Sequence, residues 1–231
     1  MLIKADTIGE AWLKCIQTVM EGGSDFHDED VLIKEILGLT IKIIKPSSCD
    51  PIIDEYGDKY IVSHTLQKFE NGVIMENRPF TYGDLIYNKN GIDQFEWIVD
   101  RLKNKPESKS ATISLLTEGT TDANLPCLVL IDAKLRFERL YLNFFFRSQN
   151  IVGRQYANLL AIATLQEKLA TRLGVAIGSL TGFIASAHIY EYDFKNAQAI
   201  CDNRKITLKD GFYEYGPKSI RSNQLFKAQT D

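Results

Sequence analysis

Apolar positions at helical spacing run through residues 7–21, where Ile8, Trp12, Cys15, Ile16 and Val19 fall on one face. Thr7 is placed to cap this helix and Gly22-Gly23 to stop it. The polar run "SDFHDED" that follows reads as a loop. "LGLTIKIIKP" alternates and is rich in β-branched residues, which predicts a strand ended by Pro46. Residues 47–72 read as a helical region ending at Gly72, and "RPFTYGDLIYNKNG" as irregular. Ile92, Phe95, Ile98, Val99 and Leu102 then share a face, so a helix is expected up to a stop at Pro106.

"SATISLLTEG" reads as a strand. Two more are expected at about 125–132 and 138–147, with "DAKLRFE" turning between them. "VGRQYANLLAIATLQEKLATRLG" is a long amphipathic helix with Gly174 as its stop. "AIGSLTGFIASAHIYEYD" is a strand, 194–203 a short helix, and the last thirty residues are polar without a clear pattern. Short strand-to-strand links in the second half favour a mixed sheet flanked by helices, α+β, over a regular βαβ winding. With no repeat and no low-complexity linker, 1–231 reads as a single domain.

Composition narrows the class. Apolar residues make up 45% and charged residues 25%, the balance of a soluble globular protein. The net charge of -3 is spread without a long run of one sign, which gives no support to bulk nucleic-acid binding or to a polybasic membrane anchor. The first twenty residues carry charges inside their apolar stretch, unlike a signal peptide, and no apolar run approaches a membrane span. Cys15, Cys49, Cys127 and Cys201 are scattered without a CxxC pair, and the three histidines show no HxxxH. Neither a disulfide framework nor a metal site is expected, and a reducing cytoplasm is the expected location.

Candidate chemistry centres on "NLPCLVLIDAKLRFERLYLNFFFRSQNIVG", residues 124–153. A free cysteine in an apolar strand is commonly core. Arg147, however, ends a very apolar strand and needs an anion or solvent. If the two strands are neighbours, its guanidinium would favour a thiolate at Cys127. It could instead, or also, grip a phosphate with Ser148 as an added donor. Both readings of Cys127 stay open on these residues alone.

"LPCL", then "FFFRSQNIVGRQYANLLAIA", then "GSLTGFIASAHIYEYD", resemble the thymidylate synthase superfamily, which includes the pyrimidine-nucleotide hydroxymethylases and shorter archaeal-type synthases. The family order is a Pro-Cys nucleophile, Arg-Ser-x-Asp, an Asn on the following helix and a later His-x-Tyr. "FTYGDLIYN" and "IDQFEWIVDRLKNKPESKSATISL" are similar to its Tyr-Gly segment, its Ile-Asp-Gln helix and the loop after it. The likeness covers about residues 80–195.

The resemblance implies one-carbon transfer from 5,10-methylenetetrahydrofolate to C5 of a pyrimidine nucleotide, through a covalent bond between cysteine sulfur and C6. Cys127 would be the nucleophile. Arg147 would bind the phosphate and lower the thiol pKa, with Ser148 donating to the same phosphate. Asn158 would read the O4/N3 edge of a uracil, His188 and Tyr190 would hold the sugar hydroxyl, and Tyr82 would belong to the substrate site. The implied partners are a pyrimidine nucleotide, folate and a second copy of the chain in a homodimer. A hydroxymethylase acting on a cytosine or uracil nucleotide, or a non-catalytic nucleotide-binding relative, are the alternatives.

The sequence departs from the family in three places. The paired arginines that reach the partner's phosphate are Lys109 and Ser110 here, and lysine lacks the arginine fork. The Asp of Arg-Ser-x-Asp, which helps bind the pterin, is Asn150, an amide that cannot accept at both ends. The glutamate that assists proton transfer at O4 has no clear counterpart; Glu55 lies in the right region of the chain without a supporting motif.

Overall fold

The structure, a computed structural model, describes residues 1–75, 80–116 and 125–202. Among these, eight strands form one mixed sheet and seven helices pack on it. The strands are β1 (Leu2–Ala5), β2 (Ser24–Asp28), β3 (Val31–Ile43), β4 (Thr112–Ser114), β5 (Leu128–Arg136), β6 (Arg139–Phe146), β7 (Gln149–Asn150) and β8 (Ala176–Tyr190). Their order is β1-β3-β8-β6-β5-β4, with β2 added to β3 and β7 to β8. The β1–β3, β6–β8 and β7–β8 pairs are parallel and the others antiparallel. This is the expected α+β class.

The helices are α1 (Ile8–Gly22), α2 (Pro51–Tyr56), α3 (Lys59–Lys68), α4 (Tyr82–Tyr87), α5 (Gln94–Asn104), α6 (Tyr156–Leu173) and α7 (Phe194–Cys201). Thr7 caps α1, its hydroxyl accepting from the Glu10 N–H at 3.2 Å. Gly174 ends α6 with φ 69°, the left-handed conformation that glycine adopts without strain. A five-residue π-helical turn, Ile151–Gln155, leads into α6, and the Trp12 indole N–H donates to the Ile151 carbonyl at 2.9 Å across the core.

One face of the sheet is laid down in rows. Ile43, Leu180, Leu142 and Ala133 align across β3, β8, β6 and β5, as do Ile41, Gly182, Phe144 and Ile131. Every residue of these rows is buried. Gly182 leaves the space that the Phe144 ring fills, since a Cβ there would lie 1.9 Å from the ring.

Several boundaries differ from the sequence pattern. "SDFHDED" is not a loop: Ser24–Asp28 pairs along β3 as a fully exposed strand, so its polar residues face water on an edge. The supposed irregular segment holds α4, started by a Thr81–Asp84 capping box. The region 47–72 is two helices, α2 and α3, broken at Gly57-Asp58, where Asp58 caps α3. "DAKLRFE" is mostly strand. The turn is only Phe137-Glu138, both at positive φ (50° and 57°), as a two-residue hairpin turn of the tighter hand requires. β4 stops at Ser114, and the expected strand beyond 116 and the polar C-terminal tail lie outside the described residues.

Candidate active site

The sheet opens where β5 and β6 end. Leu128 and Phe146 are their last paired residues, and the chain beyond them bends away: Cys127 on one side, Arg147 and Ser148 on the other. A cavity of about 330 Å³ lies at this end. Its wall takes Cys127 from the entry to β5, Ser148 and Asn150 from the start and end of β7's approach, Asn158 from α6, His188 and Tyr190 from β8, and Tyr82 from α4. Seven of the nine residues singled out from sequence therefore meet at one cavity.

Cys127 is half-buried, while Cys15, on α1, is fully buried. Burial pushes the Cys15 thiol up to about 12, opposed by a 3.5 Å contact with the Gln155 amide. Cys127 thus lines a cavity while Cys15 faces core.

Arg147 and Lys109 are the two that do not line the cavity. Arg147 Nε donates to the Pro126 carbonyl at 3.1 Å and Nη2 to the Leu125 carbonyl at 2.8 Å, and its backbone N–H donates to the Cys127 carbonyl at 2.9 Å. The arginine thus clamps the segment that carries the thiol. On the other side of that segment, the Tyr82 hydroxyl accepts from the Leu128 N–H at 3.2 Å. Lys109 is exposed on the link between α5 and β4. Next to it, Arg101 of α5 donates to the hydroxyls of Ser108 and Ser110 at 3.1 and 2.7 Å, so the loop is braced by a guanidinium from the helix.

Asn150 Oδ1 accepts from the Gly153 N–H at 2.8 Å and so caps the π-helical turn. Next to it, Gln149 is 3% exposed, lines the cavity, and keeps Oε1 without a hydrogen-bond partner among the described residues. Such a buried acceptor is the kind of group a ligand satisfies. Lys68 of α3 and Arg154 of the π-helical turn also line the wall, giving it two cationic side chains. The chain pattern offered no signal for these three, because each sits at an element end with no periodicity of its own. No carboxylate lines the cavity among the described residues, and Glu55 is exposed on α2.

Behind the wall, Asp193 is fully buried and neither of its oxygens has a hydrogen-bond partner among the described residues. Burial pushes its carboxyl up to about 7, partly opposed by the Arg154 guanidinium. Among the described residues no three metal-ligating side chains gather, and no helix is long and apolar enough to cross a membrane.

The pattern that defines the family named Thymidylate synthase matches residues 48–209. Proteins named "Putative thymidylate synthase" align along most of the chain. The one from Methanothermobacter marburgensis is 30% identical over 87% of this chain and 98% of its own. Those from Methanococcoides burtonii and Methanosarcina mazei are 31% and 32% identical over 86% of this chain and 94% of theirs. With the motif residues gathered at one cavity and the match running through both the helices and the sheet, the chain belongs to the thymidylate synthase family.

Proposed function

We propose that the protein transfers a one-carbon unit to C5 of a uracil nucleotide, of the dUMP or UMP type, through a covalent adduct at Cys127. The observation that carries this reading is the half-buried Cys127 thiol on a cavity wall shared with Ser148, Asn158, His188 and Tyr190. The Cys127 sulfur adds to C6, and the electron pair of the C5–C6 double bond moves toward O4, leaving C5 nucleophilic. Asn158 offers both a donor and an acceptor to the O4/N3 edge. Arg147 and Tyr82 hold the backbone on either side of the thiol, which fixes the angle of attack. Ser148, Lys68 and Arg154 supply the donors and positive charge that a phosphate needs at this wall.

Methylenetetrahydrofolate, when bound, supplies the one-carbon unit. The residues present fit a pterin: Gln149 Oε1 is a buried acceptor suited to a ring N–H, beside Asn150, whose own Oδ1 is taken by the cap. We also read 1–231 as one domain, cytoplasmic in keeping with four free thiols, and dimeric through the sheet face where Phe145 and Phe183 stack, with Leu37 exposed on β3. Lys109, away from its own cavity, is then available to a partner's phosphate.

Incubation with 5-fluorouracil nucleotides tests the chemistry. Mass spectrometry should show one added nucleotide per chain on the peptide holding Cys127, and none in Cys127→Ala, which still binds nucleotide. Binding without adduct or turnover would make the chain a non-catalytic relative. A product heavier by one oxygen would identify a hydroxymethylase.

A further inference from the structure

Asp193 lies in the single 3₁₀ turn Glu191–Asp193 that links β8 to α7, three residues past Tyr190 on the cavity wall. It is fully buried, and among the described residues neither carboxyl oxygen has a hydrogen-bond partner. Although it precedes α7, its side chain caps none of that helix's N–H groups. An ionised carboxylate sealed away like this is costly, and the neutral acid much less so. What offsets the cost of the charged form is Arg154, whose guanidinium acts on this carboxyl from the π-helical turn. The same Arg154 lines the cavity. One cation is therefore shared by a buried acid and the space a ligand occupies.

A phosphate seated at Arg154 draws on the positive charge that the carboxylate relies on, and it adds negative charge of its own. Both effects favour the protonated acid. Burial already holds the Asp193 carboxyl up at about 7, so the proton exchanges near neutral pH. Other titratable and charged groups surround the turn. β3 carries Lys34 and Glu35, β8 carries His188 and Tyr190, α7 carries Lys195, and the turn itself holds Glu191 and Tyr192. Burial pushes the Tyr190 and Tyr192 phenols up, so both keep their hydrogens through this range. Histidine ordinarily titrates near about 6.5, so His188 is controlled for by comparing two proteins that both keep it.

We propose that Asp193 is a positioning residue that acts through Arg154 and links nucleotide binding to a proton: the chain takes up a proton at Asp193 as the phosphate settles against Arg154. This rests on the nucleotide reading above. The neutral acid leaves the guanidinium to the ligand, whereas the ionised carboxylate competes for it and repels the phosphate. A phosphate about 10 Å from the carboxyl, at an effective dielectric of about 20, raises the carboxyl pKa by about 1. Linkage then makes the affinity fall about threefold as pH rises from about 7 to about 8.

Titration calorimetry of the full chain, in buffers of different ionisation enthalpy, counts the protons taken up when dUMP or UMP binds, whichever binds more tightly. At about pH 7.5 the free phosphate is already nearly all dianion, its second pKa being about 6. The expected result is uptake of about half a proton in wild type and none in Asp193→Asn, which keeps the shape and cannot ionise. At about pH 8 the variant should also bind about fivefold more tightly than wild type, with an affinity that no longer falls between about pH 7 and 8. No uptake in wild type, or the same uptake in Asp193→Asn, overturns the linkage and leaves the nucleotide reading standing. Failure of both nucleotides to bind overturns the nucleotide reading and this inference with it. Should the variant fail to fold, ¹³C NMR of the aspartate carboxyls in wild type decides. A carboxyl titrating near about 7 should move upward with nucleotide, and a titration that does not move overturns the inference.

Discussion

The two halves of β8 do different work. From Leu180 to Ile184 the strand lies between β3 and β6, and Leu180, Gly182 and Ile184 drop into apolar rows with Ile41, Ile43, Phe144 and Phe146 or their neighbours. From Ser186 to Tyr190 it has lost β6 and pairs instead with β3 and the two-residue β7. This half carries Ser186, His188 and Tyr190, with the buried Asp193 just beyond. Apolar burial stabilises the first half. In the second, the same backbone holds polar groups out of water, which costs stability unless each is paired. The comparison shows how the cavity arises: β6 stops, and this half of β8 is left to line the opening.

Opposite responses in the two halves would sharpen this contrast. Cys127→Ala, at the open end, should lower turnover at least a thousandfold by removing the proposed nucleophile. Its melting temperature should stay within a few degrees of wild type, because the side chain is only half-buried. Phe144→Ala, in the packed half, removes a ring that is 3% exposed and should destabilise by about 3–5 kcal/mol in urea melts. The folded fraction should keep its nucleotide affinity. If Phe144→Ala abolished binding at full fold, the two halves would not be separable.

Legibility in the sequence follows the same division. The packed half was readable because its residues obey a period: "LTIKII" and "LNFFF" alternate or run apolar, and α5 and α6 repeat at helical spacing. The candidate residues that line the cavity were readable only as a set in family order, since a cysteine after a proline or a histidine on a strand says little by itself. What escaped was held by long-range pairing. β2 is polar apart from the exposed Phe26 and exists because β3 offers it an edge. The Phe137-Glu138 turn lacks the Asn-Gly signal, and its conformation is imposed by the strands on either side. Arg147 was legible as a cation needing an anion or solvent; in the structure it is exposed and also meets two carbonyls, partners that no side-chain pattern reveals.

Asp193 tests the cost of the polar half. Its carboxyl, held at about 7 by burial, keeps its proton in the folded state where the unfolded chain has released it. The folded state therefore binds more protons between about pH 4 and 7, and stability falls as pH rises through that window before levelling off. Asp193→Asn keeps the shape and removes the charge. It should flatten this slope and stabilise the protein above pH 7, by about 4 kcal/mol at most from the linkage relation. Thermal melts at pH 5 and pH 8 give both numbers. A variant that melts lower than wild type at pH 8 would mean that the ionised carboxylate is paired with Arg154 strongly enough to outweigh its burial.

The smallest effect is expected on the other face of the packed half. Thr181 and Phe183 point away from the rows, and Phe183 is 40% exposed while stacked on Phe145 at 5.6 Å between centroids. Leu37, 73% exposed, lies on the adjoining strand β3. An apolar, stacked pair in the middle of a sheet face is a poor surface to leave in water, and a second copy of the same face would cover it symmetrically. In the proposed dimer, Phe183→Lys places a charge at that contact and should weaken self-association about tenfold or more, or about 1.4 kcal/mol. Light scattering across a dilution series reads this as a shift from dimer to monomer. Because Phe183 does not line the cavity, nucleotide affinity per chain should change only through contacts that cross the proposed dimer, Lys109 being the candidate. A monomeric variant with unchanged phosphate affinity would restrict the site to one chain. A drop matching that of Lys109→Ala, with no further loss on combining the two, would show that the bare half of the sheet completes the open one.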